Sequence, residues 1–146
     1  MKIIIQRVSR ASVTVHNKIV GKINHGLMVL LGITHTDTKE NADVLIKKLV
    51  NLRVFNDEFG KMNLSIQDVK GEFLVVSQFT LYGNAKKGNR PSYVDAAPPD
   101  VAIPLYEYFI DSLMLTSQLK VETGIFGAMM DVELVNEGPV TLILES

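Results

Sequence analysis

Residues Ala11-Ser12-Val13-Thr14-Val15 alternate apolar and polar side chains with the period of two that a half-buried strand requires. Ile19-Val20-Gly21-Lys22-Ile23 follows after the turn candidate His16-Asn17-Lys18, so the two runs predict a hairpin. From Leu27 to Ile33 the chain is apolar on both faces, the pattern of a central strand covered on both sides. The period then changes. Asp37-Thr38-Lys39-Glu40 offers an N-cap with a glutamate three residues on, and Ala42, Leu45, Ile46, Leu49 and Leu52 follow at helical spacing, which predicts an amphipathic helix.

Asn56 to Lys61 reads as a polar turn, Glu72 to Phe79 as a second interior strand and Ala85 to Pro91 as a loop. A second helix is predicted from about Pro98-Pro99-Asp100, with Val101, Leu105, Tyr108, Phe109 and Leu113 on one face, Pro104 being compatible with it only near the first turn. Two last strands, about 129 to 135 and 140 to 145, flank Asn136-Glu137-Gly138-Pro139. The order of elements predicts an α+β fold in one domain over residues 1–146: a mixed, mostly antiparallel sheet with a barrel-like core and two main helices packed against it.

Composition narrows the chemistry. With 146 residues and 47% hydrophobic content, the chain can bury a continuous core without disulfides or metal. The absence of cysteine removes thiolate nucleophiles and Cys-based zinc sites, and fits a reducing, cytoplasmic setting. The apolar start Ile3-Ile4-Ile5 is too short for a signal peptide, and no stretch reaches the roughly 18 uncharged residues of a membrane span, so a soluble protein is expected. Formal net charge is -1, so any nucleic-acid contact must come from a local patch.

Conventional catalytic spacings are scarce. His16, His25 and His35 fall in or beside predicted turns with no metal-ligand spacing, and neither a Gly-x-Ser-x-Gly elbow nor a phosphate-binding glycine loop occurs. Three candidates remain. In Phe73-Leu-Val-Val-Ser-Gln-Phe-Thr-Leu-Tyr82 the strand turns polar at Ser77, Gln78 and Thr80, which either cap its end or face a substrate. Period-two geometry sends Ser77 and Phe79 one way and Gln78 and Thr80 the other, so they share one pocket only where the strand twists or ends. Gly138-Pro139 is either turn punctuation or a place where backbone approaches a ligand. Lys86, Lys87 and Arg90, beside Tyr93, form either a solvated loop or a phosphate site.

Ser77-Gln78-Phe79-Thr80-Leu81-Tyr82, Lys87-Gly88-Asn89-Arg90-Pro91-Ser92, Lys120 to Gly127 and Asn136-Glu137-Gly138-Pro139-Val140-Thr141 together resemble the signatures of the D-aminoacyl-tRNA deacylases. The resemblance extends to Ile5-Gln6-Arg7-Val8, Ala11-Ser12-Val13, Asn51 to Phe55 and Gly60 to Asn63, with Glu137 standing where many members have aspartate. It implies a proofreading hydrolase that acts in trans on the ester joining a D-amino acid, or mischarged glycine, to the tRNA 3′ terminus. It also implies a homodimer with sites at the subunit interface. No cofactor or metal is expected, and neither DNA nor membrane as partner.

By the same resemblance, Ser77, Gln78 and Phe79 line the pocket around the aminoacyl group, and Phe126 and Met130 lie near the terminal adenosine; with Thr80 the first three are the candidate catalytic residues. Gly138-Pro139 would carry a cis bond and exclude L side chains by placing main chain against the substrate α-carbon. From their own charge, Lys86, Lys87 and Arg90 are expected to hold acceptor-end phosphates.

Two cleavage routes follow. Thr80 could attack the carbonyl, yet neither signature stretch supplies a histidine or carboxylate base suited to it, Glu137 being the nearest exception. Alternatively the ribose 2′-hydroxyl helps activate water while backbone N–H groups around Phe79 and Thr80 meet the developing oxyanion, and this is the favoured route. The rivals are a non-catalytic RNA- or DNA-binding module and a generic esterase.

Overall fold

The period-two pattern of the N-terminus is part of one long strand, β1 (Lys2–Val15), in a computed structural model that describes residues 1–146. Its inward positions change phase. Ile3 and Ile5 enter one core, whereas Val8, Ala11, Val13 and Val15 enter a second. A one-residue shift is what moves a strand's apolar set to the opposite face, and the pairing of β1 is irregular between Gln6 and Arg10.

The expected hairpin forms between β1 and β2 (Lys18–Ile23), its turn made by His16 and Asn17, both at positive φ (48° and 61°). β3 (Gly26–Gly32) pairs antiparallel with the first half of β1 and parallel with β6 (Glu72–Ser77), which in turn runs parallel to β7 (Val121–Thr123). The continuous apolar run of β3 is thus the run of an interior strand. β8 (Asp131–Glu145) lies antiparallel along the other edge of β1, and β4 (Phe55–Asn56) with β5 (Met62–Leu64) makes a small separate ribbon. At the far side β2 packs back against β7, where the Gly21 backbone meets the Thr123 carbonyl. The sheet nearly closes into a barrel-like shape.

Two helices, α1 (Lys39–Asn51) and α2 (Pro99–Ser117), cover the larger core, which holds Phe55, Phe73 and Phe109 fully buried. Six sequence expectations shift here. The cap of α1 is Thr38 rather than Asp37: the Asn41 side-chain carbonyl accepts from the Thr38 N–H at 2.9 Å. Asp37 instead pairs with the buried Met1 ammonium and accepts the Thr34 N–H at 2.7 Å, since a buried charge demands a partner. Leu52 packs into the core from just beyond the helix end.

On α2 it is Tyr106 that is buried, donating to the Val75 carbonyl at 3.0 Å, while Tyr108 sits at the rim and donates to Asp43 at 2.9 Å. Pro104 lies past the first turn, on the exposed side, where water can satisfy the Asp100 carbonyl it leaves unpaired. β6 stops at Ser77, two residues short of the prediction, and the two last strands are one. No helix is long and apolar enough to cross a membrane.

Candidate active site

The site begins where β6 runs out. The Gln78 N–H still donates to the Leu31 carbonyl at 2.8 Å, and the chain then coils into a 3-10 turn, Phe79–Tyr82. Gly32 permits this turn to press on β3: a side-chain carbon there would lie 2.9 Å from Leu81 Cβ and 3.2 Å from the Gln78 carbonyl oxygen. Because the strand ends, alternation no longer applies, and Ser77, Gln78 and Phe79 all line one cavity of about 310 Å³.

The remaining walls come from five places. Leu31 and Ile33 follow from β3, Val76 from β6 and Val132 from β8, while Ala97 and Ala102 line the side toward α2. The segment after β7 contributes Phe126, Gly127, Ala128, Met129 and Met130, so the two residues singled out for the adenosine share the cavity with the polar strand end. Phe126 rests on Tyr106, ring centroids 5.7 Å apart. Burial pushes the Tyr106 phenol up to about 12, so it is a neutral hydrogen-bond donor behind the site.

None of the fourteen lining residues carries a titratable side chain. The polar side chains are the Ser77 hydroxyl and the Gln78 amide, and the latter donates to Thr80 Oγ1. Thr80 is exposed and does not line the cavity. The N–H groups of Phe79 and Thr80, at the start of the turn, make no hydrogen bond within the chain. Such a site can orient and polarise a bound group but supplies no side-chain base.

Gly138-Pro139 is absent from this cavity. The peptide is cis, and both residues are exposed. In the β1–β8 pairing, Gln6 faces Thr141 and Val8 faces Asn136, so residues 137–140 bulge out opposite Arg7 alone. Proline cannot donate to a ladder, and side chains take over its role. Arg7, 4% exposed, donates from Nε to the Glu137 carbonyl at 3.0 Å and from Nη1 to the Val54 carbonyl at 2.6 Å. Asn136 Nδ2 donates to the carbonyls of Arg7 and Val140 at 2.9 and 3.2 Å. His25 Nε2 lies 3.2 Å from Glu137 Oε2.

Sequence reasoning passed over Arg7 as an anchor: β1 carries three cations, Lys2, Arg7 and Arg10, and nothing local marks Arg7 as the buried one. Lys86, Lys87 and Arg90 are exposed with no carboxylate within 4 Å, in a loop that does not line the cavity.

The family model described as D-Tyr-tRNA(Tyr) deacylase matches residues 4–145. The chain belongs to that family. It is accordingly an enzyme, a hydrolase acting on an ester bond. D-aminoacyl-tRNA deacylases of Bacillus velezensis and Thermosipho africanus are each 58% identical to it over 146 residues, covering all of this chain and 99% and 97% of theirs. The solved structure of a protein named c-Myc DNA Unwinding Element Binding Protein superposes with a TM-score of 0.93 at 44% identity, covering 100% of this chain and 99% of that one. A probable eukaryotic D-amino acid tRNA deacylase matches at TM-score 0.87 and 18% identity over 99% of this chain and 98% of its own, a likeness of fold alone.

Proposed function

We propose that this deacylase is a trans-acting proofreading hydrolase that cleaves the ester of D-aminoacyl-tRNA, and of glycine mischarged on tRNA, releasing the free amino acid and tRNA in the cytoplasm. The observation that carries the reading is the meeting of Ser77, Gln78 and Phe79 with Phe126 and Met130 around one apolar cavity. A cavity of that character suits a nucleoside, with a few polar groups to fix its orientation.

The cleavage is assisted by the substrate. A lining without a titratable group favours water activated with the help of the terminal ribose 2′-hydroxyl, while Ser77 and Gln78 position the ester. The free N–H groups of Phe79 and Thr80 suit the oxyanion. Thr80 Oγ1, engaged by Gln78, acts through geometry rather than as nucleophile.

Selection by chirality falls to Gly138-Pro139. Its carbonyls, reaching the site of the partner subunit in a homodimer, exclude an L side chain and admit hydrogen or a D side chain. Two observations support that arrangement: the exposed bulge does not line its own chain's cavity, and β8 exposes Val135, Leu142 and Ile143 along an edge strand.

The deciding experiment is turnover of matched D- and L-aminoacyl-tRNA with enzyme far below substrate, together with sedimentation. Repeated turnover of the D ester alone by a dimer is expected. Stoichiometric tRNA binding without hydrolysis would return the protein to a binding module.

A further inference from the structure

Tyr93 stands beside the cavity, against one of its walls. Its ring meets that of Phe79 edge-on, centroids 5.2 Å apart and planes at 71°, and Phe79 is itself a lining residue. Both rings remain open to solvent, 56% for Phe79 and 41% for Tyr93. The Tyr93 ring lies against the main chain of Gly83, where a side-chain carbon would come within 3.0 Å of Tyr93 Cε1. An exposed aromatic seated on backbone and held edge-on by a second ring is a stacking surface rather than core.

The chain around Tyr93 is fastened at both ends. Asn84 and Ser92 exchange backbone hydrogen bonds of 2.8 and 2.9 Å, closing the segment that carries Lys86, Lys87 and Arg90 at its tip. After Tyr93, His35 Nε2 bonds the Val94 carbonyl at 2.8 Å, Thr34 Oγ1 donates to that of Asp95, and the Ala97 N–H donates to Ile33 at 2.9 Å. The ring is therefore fixed between the cavity and a cationic tip whose charges have no carboxylate partner.

Solvent-exposed aromatics beside unpaired cations are how proteins hold single-stranded nucleic acid, bases on the rings and phosphates on the charges. Resting on the reading of the cavity as the aminoacyl-adenosine site, we propose that Tyr93, backed by Phe79, is the stacking platform for the unpaired nucleotide that precedes the terminal adenosine. The phosphates further along the single strand then reach Lys86, Lys87 and Arg90. Tyr93 would so bind the nucleic-acid strand and leave the ester untouched.

The test compares two esters of one D-amino acid, D-tyrosyl-adenosine and D-tyrosyl-CCA trinucleotide, with wild type, Tyr93→Ala and Tyr93→Phe. Wild type is expected to prefer the trinucleotide in kcat/KM. Tyr93→Ala should reduce that preference by about tenfold, through KM, the size expected for one lost base–aromatic stack, and Tyr93→Phe should restore it. A Tyr93→Ala preference equal to wild type, or losses of equal size on both esters as a prop for Phe79 would give, overturns the proposal. Hydrolysis of neither ester by wild type would instead overturn the reading of the cavity, and the platform with it.

Discussion

Replacing Arg7 by methionine tests how the Gly138-Pro139 bulge is held. Arg7 is 4% exposed, and its guanidinium reaches the Val54 carbonyl at 2.6 Å, the Glu137 carbonyl at 3.0 Å and Asn56 Oδ1 at 3.4 Å. Methionine fills much of the volume with no donor. Each charge-assisted bond contributes about 1.5–3 kcal/mol, and a buried carbonyl left without its donor costs about 1–3 kcal/mol. Removing a buried cation also relieves its own desolvation, which offsets part of the loss. The Glu137 carbonyl, nearer solvent, can take water, whereas that of Val54 cannot.

The net expectation is about 2–4 kcal/mol of stability, a fall in Tm of about 5–15 °C for a chain of this size. Urea unfolding at fixed protein concentration measures the first and calorimetry the second. Below the melting transition, kcat/KM for D-aminoacyl-tRNA should fall about tenfold or more, because a bulge free to shift no longer presents its carbonyls in place. Arg7→Lys, with one donor group in place of the fork, should lie between. An Arg7→Met variant within about 0.5 kcal/mol of wild type and fully active would refute both the anchoring and its link to function.

The other expectations concern chemistry and charge. Thr80→Ala should keep hydrolysis within about tenfold, whereas tRNA ending in 2′-deoxyadenosine should lose it; equal turnover of normal and deoxy substrates would sink substrate assistance. Gly138→Ala places a carbon 3.3 Å from Asn136 Oδ1, so single-turnover rates on D and L esters should both change while Tm moves little, and unchanged selectivity would count against the filter. Neutralising Lys86, Lys87 and Arg90 together should flatten the log–log salt dependence of tRNA binding by about two, or leave it unaltered if the loop is merely solvated. Burial raises the Tyr106 phenol from its ordinary 10 to about 12, so the stability tied to its neutral form is complete below about pH 10 and is lost as pH rises toward 12. Tyr106→Phe should flatten that alkaline loss in Tm and, by losing the bond to Val75, cost about 1 kcal/mol at neutral pH.

Local pattern determined a good deal. Alternation from Ala11 to Ile23 set the hairpin, the unbroken apolar run of β3 set an interior strand, and helical spacing placed α1 and α2, because burial imposes those periods on neighbouring residues. The polar residues at the end of β6 stood out because such groups in an interior strand need partners that local sequence does not provide, and three residues there line the cavity. Their common orientation was not legible. Period two divides Ser77 and Phe79 from Gln78, and only the early end of β6, imposed by packing of the 3-10 turn on Gly32, brings the three to one cavity.

Distance along the chain hid the rest. Whether Asp37 caps a helix or neutralises an ammonium depends on Met1, which β1 brings to it; Tyr106 rather than Tyr108 is interior because the Val75 carbonyl waits there. The stretch around Gly138-Pro139 looked like a turn between two strands, and tertiary structure made it a bulge of one strand, its missing ladder bonds replaced by Arg7 and Asn136. Periodicity reports which residues are buried. Which distant group satisfies a buried charge or an unpaired carbonyl is decided only when strands far apart in sequence lie side by side.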